Sequence, residues 1–124
     1  MPNESQMKKA MQAYIDTYNK DDLEALLALY ADDATVEDPV GKPVMSGKAR
    51  IREFYTMAMK TGARLSLAAP IRGSHGTSAA MAFDVNLEYQ GHKMVIRVID
   101  VMTFNEGGKF ASMRAYWGPS DMIR

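Results

Sequence analysis

The feature that most limits what this chain can fold into is a change of hydrophobic period at Arg64. Before it, apolar residues recur every third or fourth position, the spacing of a helix face; after it they recur every second position, the spacing of a half-buried strand. Met7, Ala10, Met11, Tyr14, Ile15 and Tyr18 form one helical stripe, with Ser5 placed to cap it. Asp21 and Glu24 have capping-box spacing ahead of Leu23, Leu26, Leu27 and Tyr30, which predicts a second helix ending near Asp32. Ser46 is placed to cap a third helix whose inward stripe is Ile51, Phe54, Tyr55, Ala58 and Met59, ending at Thr61-Gly62. Beyond it the alternation predicts strands over Arg64 to Ile71, over the segment from Met81 to Tyr89, from Met94 to Phe104, and from Phe110 to Trp117. Gly73-Ser74-His75-Gly76, Gln90-Gly91 and Asn105-Glu106-Gly107-Gly108 supply the turns. The expectation is a single α+β domain over residues 1–124, three N-terminal helices packed on a strongly curved, mostly antiparallel, cone-shaped sheet that can hold an apolar pocket.

Composition narrows the function classes. Fifteen basic and fifteen acidic residues cancel, so nothing attracts a phosphate backbone or an anionic lipid surface, and no nucleic-acid partner is expected. There is no cysteine, which removes disulfides, thiolate nucleophiles and zinc-thiolate sites together. No basic-then-apolar leader and no apolar run of membrane length is present, so the reading is a cytoplasmic protein without a membrane partner. His75 sits in a turn and His92 opens a strand, neither with a second ligand at metal spacing; no metal or cofactor is expected. Gly107-Gly108 reads as a hairpin and not as a phosphate loop, and Arg50, Arg52 and Glu53 read as a solvated helix face. Eleven methionines point either to a soft core or to a pocket for a large apolar ligand.

Two acids break the pattern. The stretch from Asp32 to Asp38 holds four acids in seven residues; Asp32 and Asp33 fall at the expected helix end, whereas Asp38 follows Val36 by two and shares its inward face just before Pro39. Such a carboxylate is either a structural acid tied to backbone amides or a positioned proton acceptor. Asp100 lies in mid-strand on a face otherwise made of Met94, Ile96, Val98, Met102 and Phe104, while Arg97 points to the other face. An unpaired ionised carboxylate there costs several kcal/mol or more, which favours the protonated acid, a hydrogen-bond donor. Tyr14 is the candidate second donor; alternatively Tyr14 and Asp100 merely satisfy each other. An ionisable Asp38 facing two donors suits proton abstraction beside a carbonyl, with Tyr30 and Tyr55 either orienting the first donor or serving as core tyrosines.

These residues resemble the bacterial ketosteroid isomerases, of the NTF2-like or SnoaL-like cone-fold superfamily, which move a steroid double bond into conjugation with a ketone. The likeness is carried by Tyr30-Ala31-Asp32-Asp33-Ala34-Thr35-Val36-Glu37-Asp38-Pro39, by Val98-Ile99-Asp100-Val101-Met102 and by Ala115-Tyr116-Trp117, and runs from about Met7 to Trp117. It implies that Asp38 is the general base, that Tyr14 and a protonated Asp100 form the oxyanion hole, and that Tyr30 and Tyr55 stand behind Tyr14. Ketosteroid isomerases are themselves the known case of a carboxylic acid kept neutral by its site, and the resemblance transfers that expectation to Asp100. It further implies a cis peptide at Pro39, an apolar slot for a steroid lined by Phe54, Met81, Phe83, Val98, Met102, Met113 and Trp117, no cofactor, and a homodimer, for which the sheet also offers more face than three helices can cover. The alternatives are a polyketide-cyclase-like enzyme, or a non-catalytic ligand-binding module on the same fold.

Overall fold

A computed structural model describes residues 1–124. Three helices, α1 (Glu4–Asn19), α2 (Leu23–Leu27) and α3 (Lys48–Lys60), pack on a curled seven-stranded sheet. The strands are β1 (Tyr30–Glu37), β2 (Met45–Ser46), β3 (Arg64–Leu67), β4 (Ser78–Tyr89), β5 (His92–Phe104), β6 (Phe110–Tyr116) and β7 (Met122–Ile123). Their order is β2-β1-β6-β5-β4-β3, with β7 pairing β5, and only β1 with β6 is parallel. The α+β expectation holds. No helix is long and apolar enough to cross a membrane.

The strand half follows the alternation closely. On β5 the side chains of Met94, Val98, Asp100, Met102 and Phe104 are buried, with Lys93, Arg97, Ile99 and Thr103 exposed between them. The β4–β5 turn uses Gln90 and Gly91, at φ of 52° and 78°, so both central residues have the sign that a tight two-residue hairpin requires. β3 is shorter than expected because pairing with β4 stops at Leu67; Pro70, without an N–H, lies in the stretch that leaves the sheet before Arg72 rejoins opposite Ala80.

The helix ends differ from the sequence-based expectation. α1 is capped by Asn3, whose side chain accepts from Gln6 N–H at 2.8 Å while Gln6 Oε1 accepts from Asn3 N–H at 2.8 Å, so Ser5 lies inside the helix. Asp22, not Asp21, caps α2 through Ala25 N–H. Ser46 is taken by pairing with Thr35, and Gly47, at φ 86° with its N–H on Ala34 O, turns the chain into α3 instead. α2 stops at Leu27 and does not reach Asp32, because Phe110 N–H captures Leu29 O and the chain then pairs with β6 from Tyr30. Asp32 and Asp33 are therefore exposed strand residues and not a helix terminus.

One side chain ties the helical layer to the far edge of the sheet. Asn19, at the end of α1, donates from Nδ2 to Leu65 O and accepts from Leu65 N–H, both at 2.8 Å. It thereby replaces a strand partner for β3. Asn19→Ala leaves both Leu65 groups unpaired and is expected to cost about 1–3 kcal/mol, read as a lower urea midpoint at unchanged m-value.

Candidate active site

The helices and the concave sheet face enclose a cavity of about 220 Å³ among twelve residues, of which Asp38 is the one charged member. Register orders its walls. Phe83 pairs with Val98, and two residues further along each strand Val85 pairs with both Ile96 and Leu65, so the sheet presents successive rows about 7 Å apart. Tyr14 and Tyr55 line it with Phe54, Asp38 and Trp117; Tyr18 and Ala58 lie one turn further along their helices, and the Asn19–Leu65 clamp holds Tyr18 at the outer row with Leu65, Val85 and Ile96.

Beneath Val98 on the same face comes Asp100, opposite Met81 and Ala115. It is 1% exposed, and neither carboxyl oxygen has a hydrogen-bond partner in the protein. Burial pushes its pKa well above the ordinary aspartate range, and the charge of Asp38 pushes in the same direction. Asp38 follows the last residue of β1, and its peptide bond to Pro39 is cis. It is only partly buried, and Trp117 Nε1–H donates to its Oδ1 at 2.9 Å. Burial raises the Asp38 pKa; the Trp117 bond pulls it part of the way back.

Three tyrosines form a chain. Tyr55 donates to the Tyr14 hydroxyl at 3.0 Å and shares a 2.5 Å bond with Tyr30, so the order Tyr30 to Tyr55 to Tyr14 leaves the Tyr14 proton free for a further acceptor. Edge-to-face contacts with Tyr55 and Phe110 hold the Tyr14 ring. Burial raises the Tyr14 pKa well above its usual value, keeping it a phenol.

The residues picked out from sequence divide accordingly. Phe54, Phe83, Val98 and Trp117 line the cavity with Tyr14, Tyr55 and Asp38. Tyr30 and Asp100 stand behind the wall, fully buried. Met81, Met102 and Met113 do not line it: Met81 faces Asp100, and Met102 pairs with Met113 below, so these three methionines fill core under the floor. Tyr18, Ala58, Leu65, Val85 and Ile96 line the cavity without having been singled out for it. Tyr18, Ala58 and Ile96 lay on inward stripes already recognised; the missing information was how far along the elements the cavity extends.

Residues 11–113 match the SnoaL-like domain family. The chain belongs to that family. It is 39% identical over 119 residues to the steroid delta-isomerase of Nocardioides simplex, covering 96% of this chain and 95% of that protein. It is 26% identical over an alignment of 142 positions to the epoxide hydrolase LasB of Streptomyces lasalocidi, covering 98% of this chain but 50% of that protein. The solved structure of SalBIII, an epoxide hydrolase/cyclase-like enzyme of pyran ring formation in polyether salinomycin, superposes at a TM-score of 0.91 with 29% identity, over 99% of this chain and 98% of that one. The relatives of this chain thus carry names for more than one reaction, steroid isomerisation among them.

The Asp100 environment makes a prediction independent of function. Because the folded-state pKa lies above the unfolded one, the folded protein holds the proton longer, and stability falls as pH rises from the ordinary aspartate value of 3.8 toward the folded value. The slope from one such group reaches about 1.4 kcal/mol per pH unit. Asp100→Asn removes it, so the melting temperature of the variant is expected to gain on wild type steadily as pH rises above 3.8. A gap independent of pH means that Asp100 titrates like an exposed acid.

Proposed function

We propose that this protein is a steroid delta-isomerase, converting 3-oxo-delta-5-steroids to the conjugated delta-4 isomers through a dienolate. The observation that carries the reading is the pair of unpartnered oxygens on Asp100. A buried carboxylic acid with no acceptor in the protein is suited to donate to one that arrives with a ligand, and the free proton of Tyr14 supplies a second donor. In this reading the ketone oxygen accepts from Tyr14 and Asp100. Ionised Asp38 removes a proton from the carbon between ketone and alkene, the electron pair delocalises onto the oxygen, and Asp38 returns the same proton to the far end of the dienolate. The electrons and the proton balance without a cofactor. Identity of 39% with the Nocardioides simplex enzyme over nearly the full length supports the choice of reaction.

The likeness to SalBIII and LasB favours a second reading, epoxide opening, in which Asp100 protonates the epoxide oxygen and Asp38 activates the nucleophile. One assay separates them. Purified protein mixed with 5-androstene-3,17-dione is expected to produce conjugated-enone absorbance rapidly; no conversion, with turnover of a hydroxy-epoxide instead, assigns the second reading. Asp38→Asn should abolish conversion while a phenolic steroid still binds, and loss of both together makes Asp38 structural. Tyr14→Phe is expected to lower kcat by about 10²–10³, or roughly 2.7–4 kcal/mol. Since Asp38 must be ionised and its pKa is raised, the acid limb of kcat/KM should lie above 3.8.

We also infer that two copies pair through the outer sheet face, where Ile99 and Tyr116 are 50% and 42% exposed. Sedimentation should then give twice the chain mass, falling to the monomer for a double Ile99→Lys, Tyr116→Lys variant. A wild-type monomer overturns this.

A further inference from the structure

The outer end of the cavity carries one polar group that the reaction does not use. Ala58, Leu65, Val85 and Ile96 make that end apolar, and among them stands the phenol of Tyr18, itself 5% exposed. The Asn19–Leu65 clamp fixes the backbone beside it, so the ring has a defined place at the cavity's outer row. Its hydroxyl neighbour, Thr61, donates its one proton to Ala58 O at 2.6 Å and accepts from Ala63 N–H at 3.2 Å, so it has no proton for Tyr18 and at most one lone pair left to accept from it. Tyr18 lies one helical turn, about 6 Å, from Tyr14. Along the sheet, the rows from Asp100 through Val98 to Ile96 span four residues, about 13 Å, the scale of a fused four-ring skeleton.

A ligand whose ketone reaches Tyr14 and Asp100, and whose long axis follows these rows, brings its opposite ring to the row of Leu65, Val85 and Ile96, which Tyr18 also lines. Any oxygen on that ring loses its water among aliphatic side chains, and desolvation without a replacement bond disfavours binding. We propose that Tyr18 is a specificity-determining residue, donating a hydrogen bond to an oxygen on the ring farthest from the reacting ketone and so selecting steroids oxygenated at that end. This rests on the steroid reading above.

The test uses two ligands and one substitution. Trp117 is the single tryptophan and lines the cavity, so its fluorescence reports binding. Wild type and Tyr18→Phe are titrated with estrone, a steroid phenol with a ketone on its five-membered ring, and with the same skeleton lacking that ketone. Wild type should bind estrone about 2- to 13-fold tighter than the deoxo phenol, and Tyr18→Phe should erase that ratio. A purely structural role for Tyr18 weakens both ligands equally and leaves the ratio in place, which overturns the inference. Equal affinities in wild type overturn it as well, while the steroid reading stands. Failure of both phenols to bind wild type removes the steroid reading and this inference with it.

Discussion

The register of β4 on β5 is the constraint on which the interior depends. Twelve consecutive pairs, from Ser78 with Thr103 to Tyr89 with His92, leave no bulge in which a strand could shift. The side-chain period of a strand is two, so a slip of one residue would turn Asp100, Val98 and Ile96 outward and bring Arg97 and Ile99 in. That alternative buries a guanidinium in place of a carboxyl that can shed its charge by keeping a proton. The two positive-φ residues of the turn, Gln90 and Gly91, fix the count at one end. At the other, Phe104 N–H donates to Thr77 O. The cavity's rows follow from this pairing alone, before any helix is placed.

The helices then supply two of the three phenols that the site links. A concave sheet face offers apolar side chains in rows but few hydroxyl groups, and here the three linked phenols come from different elements: Tyr14 from α1, Tyr30 from β1 and Tyr55 from α3. Each ring packs edge-on or tilted against its neighbours, including Phe110, so the hydroxyls meet because the rings have no room to turn. In a low-dielectric interior each donor strengthens the next, and the far end of the chain sharpens the donor at the cavity.

How much of this was legible before the structure depends on the range of the interaction. The faces of β4 and β5, the inward stripe of α1 and the misfit of Asp100 were readable, because alternation over ten residues reports burial directly. Caps were not: Asn3, Asp22 and Gly47 each compete with an equally suitable neighbour, and a bond of one turn decides between them. The start of β1 was misread as helix because its partner, β6, lies some eighty residues away and pairs in parallel, which leaves no trace in local periodicity. The methionines show the same limit. Met81, Met102 and Met113 share a face with cavity residues, but depth along a strand, not face, separates wall from floor. The catalytic set proposed from resemblance converges in space, with Asp100 just behind the wall and not on it.

The two carboxyl groups rest in complementary states. Both are raised by burial, yet Asp38 is only partly buried and receives the Trp117 N–H, while Asp100 is 1% exposed, has no donor in the protein and also feels the charge on Asp38. The first to ionise is therefore Asp38, and its ionisation makes the second ionisation harder still. The pocket is built to carry one negative charge and not two. In the proposed reaction that number never changes: the charge sits on Asp38 before proton transfer and on the dienolate oxygen after it, and when Asp38 becomes neutral the donors Tyr14 and Asp100 face the new charge in its place. A site that keeps its total charge while moving its position needs no counter-ion and little rearrangement, which is the condition under which fixed dipoles in a largely apolar cavity are most effective.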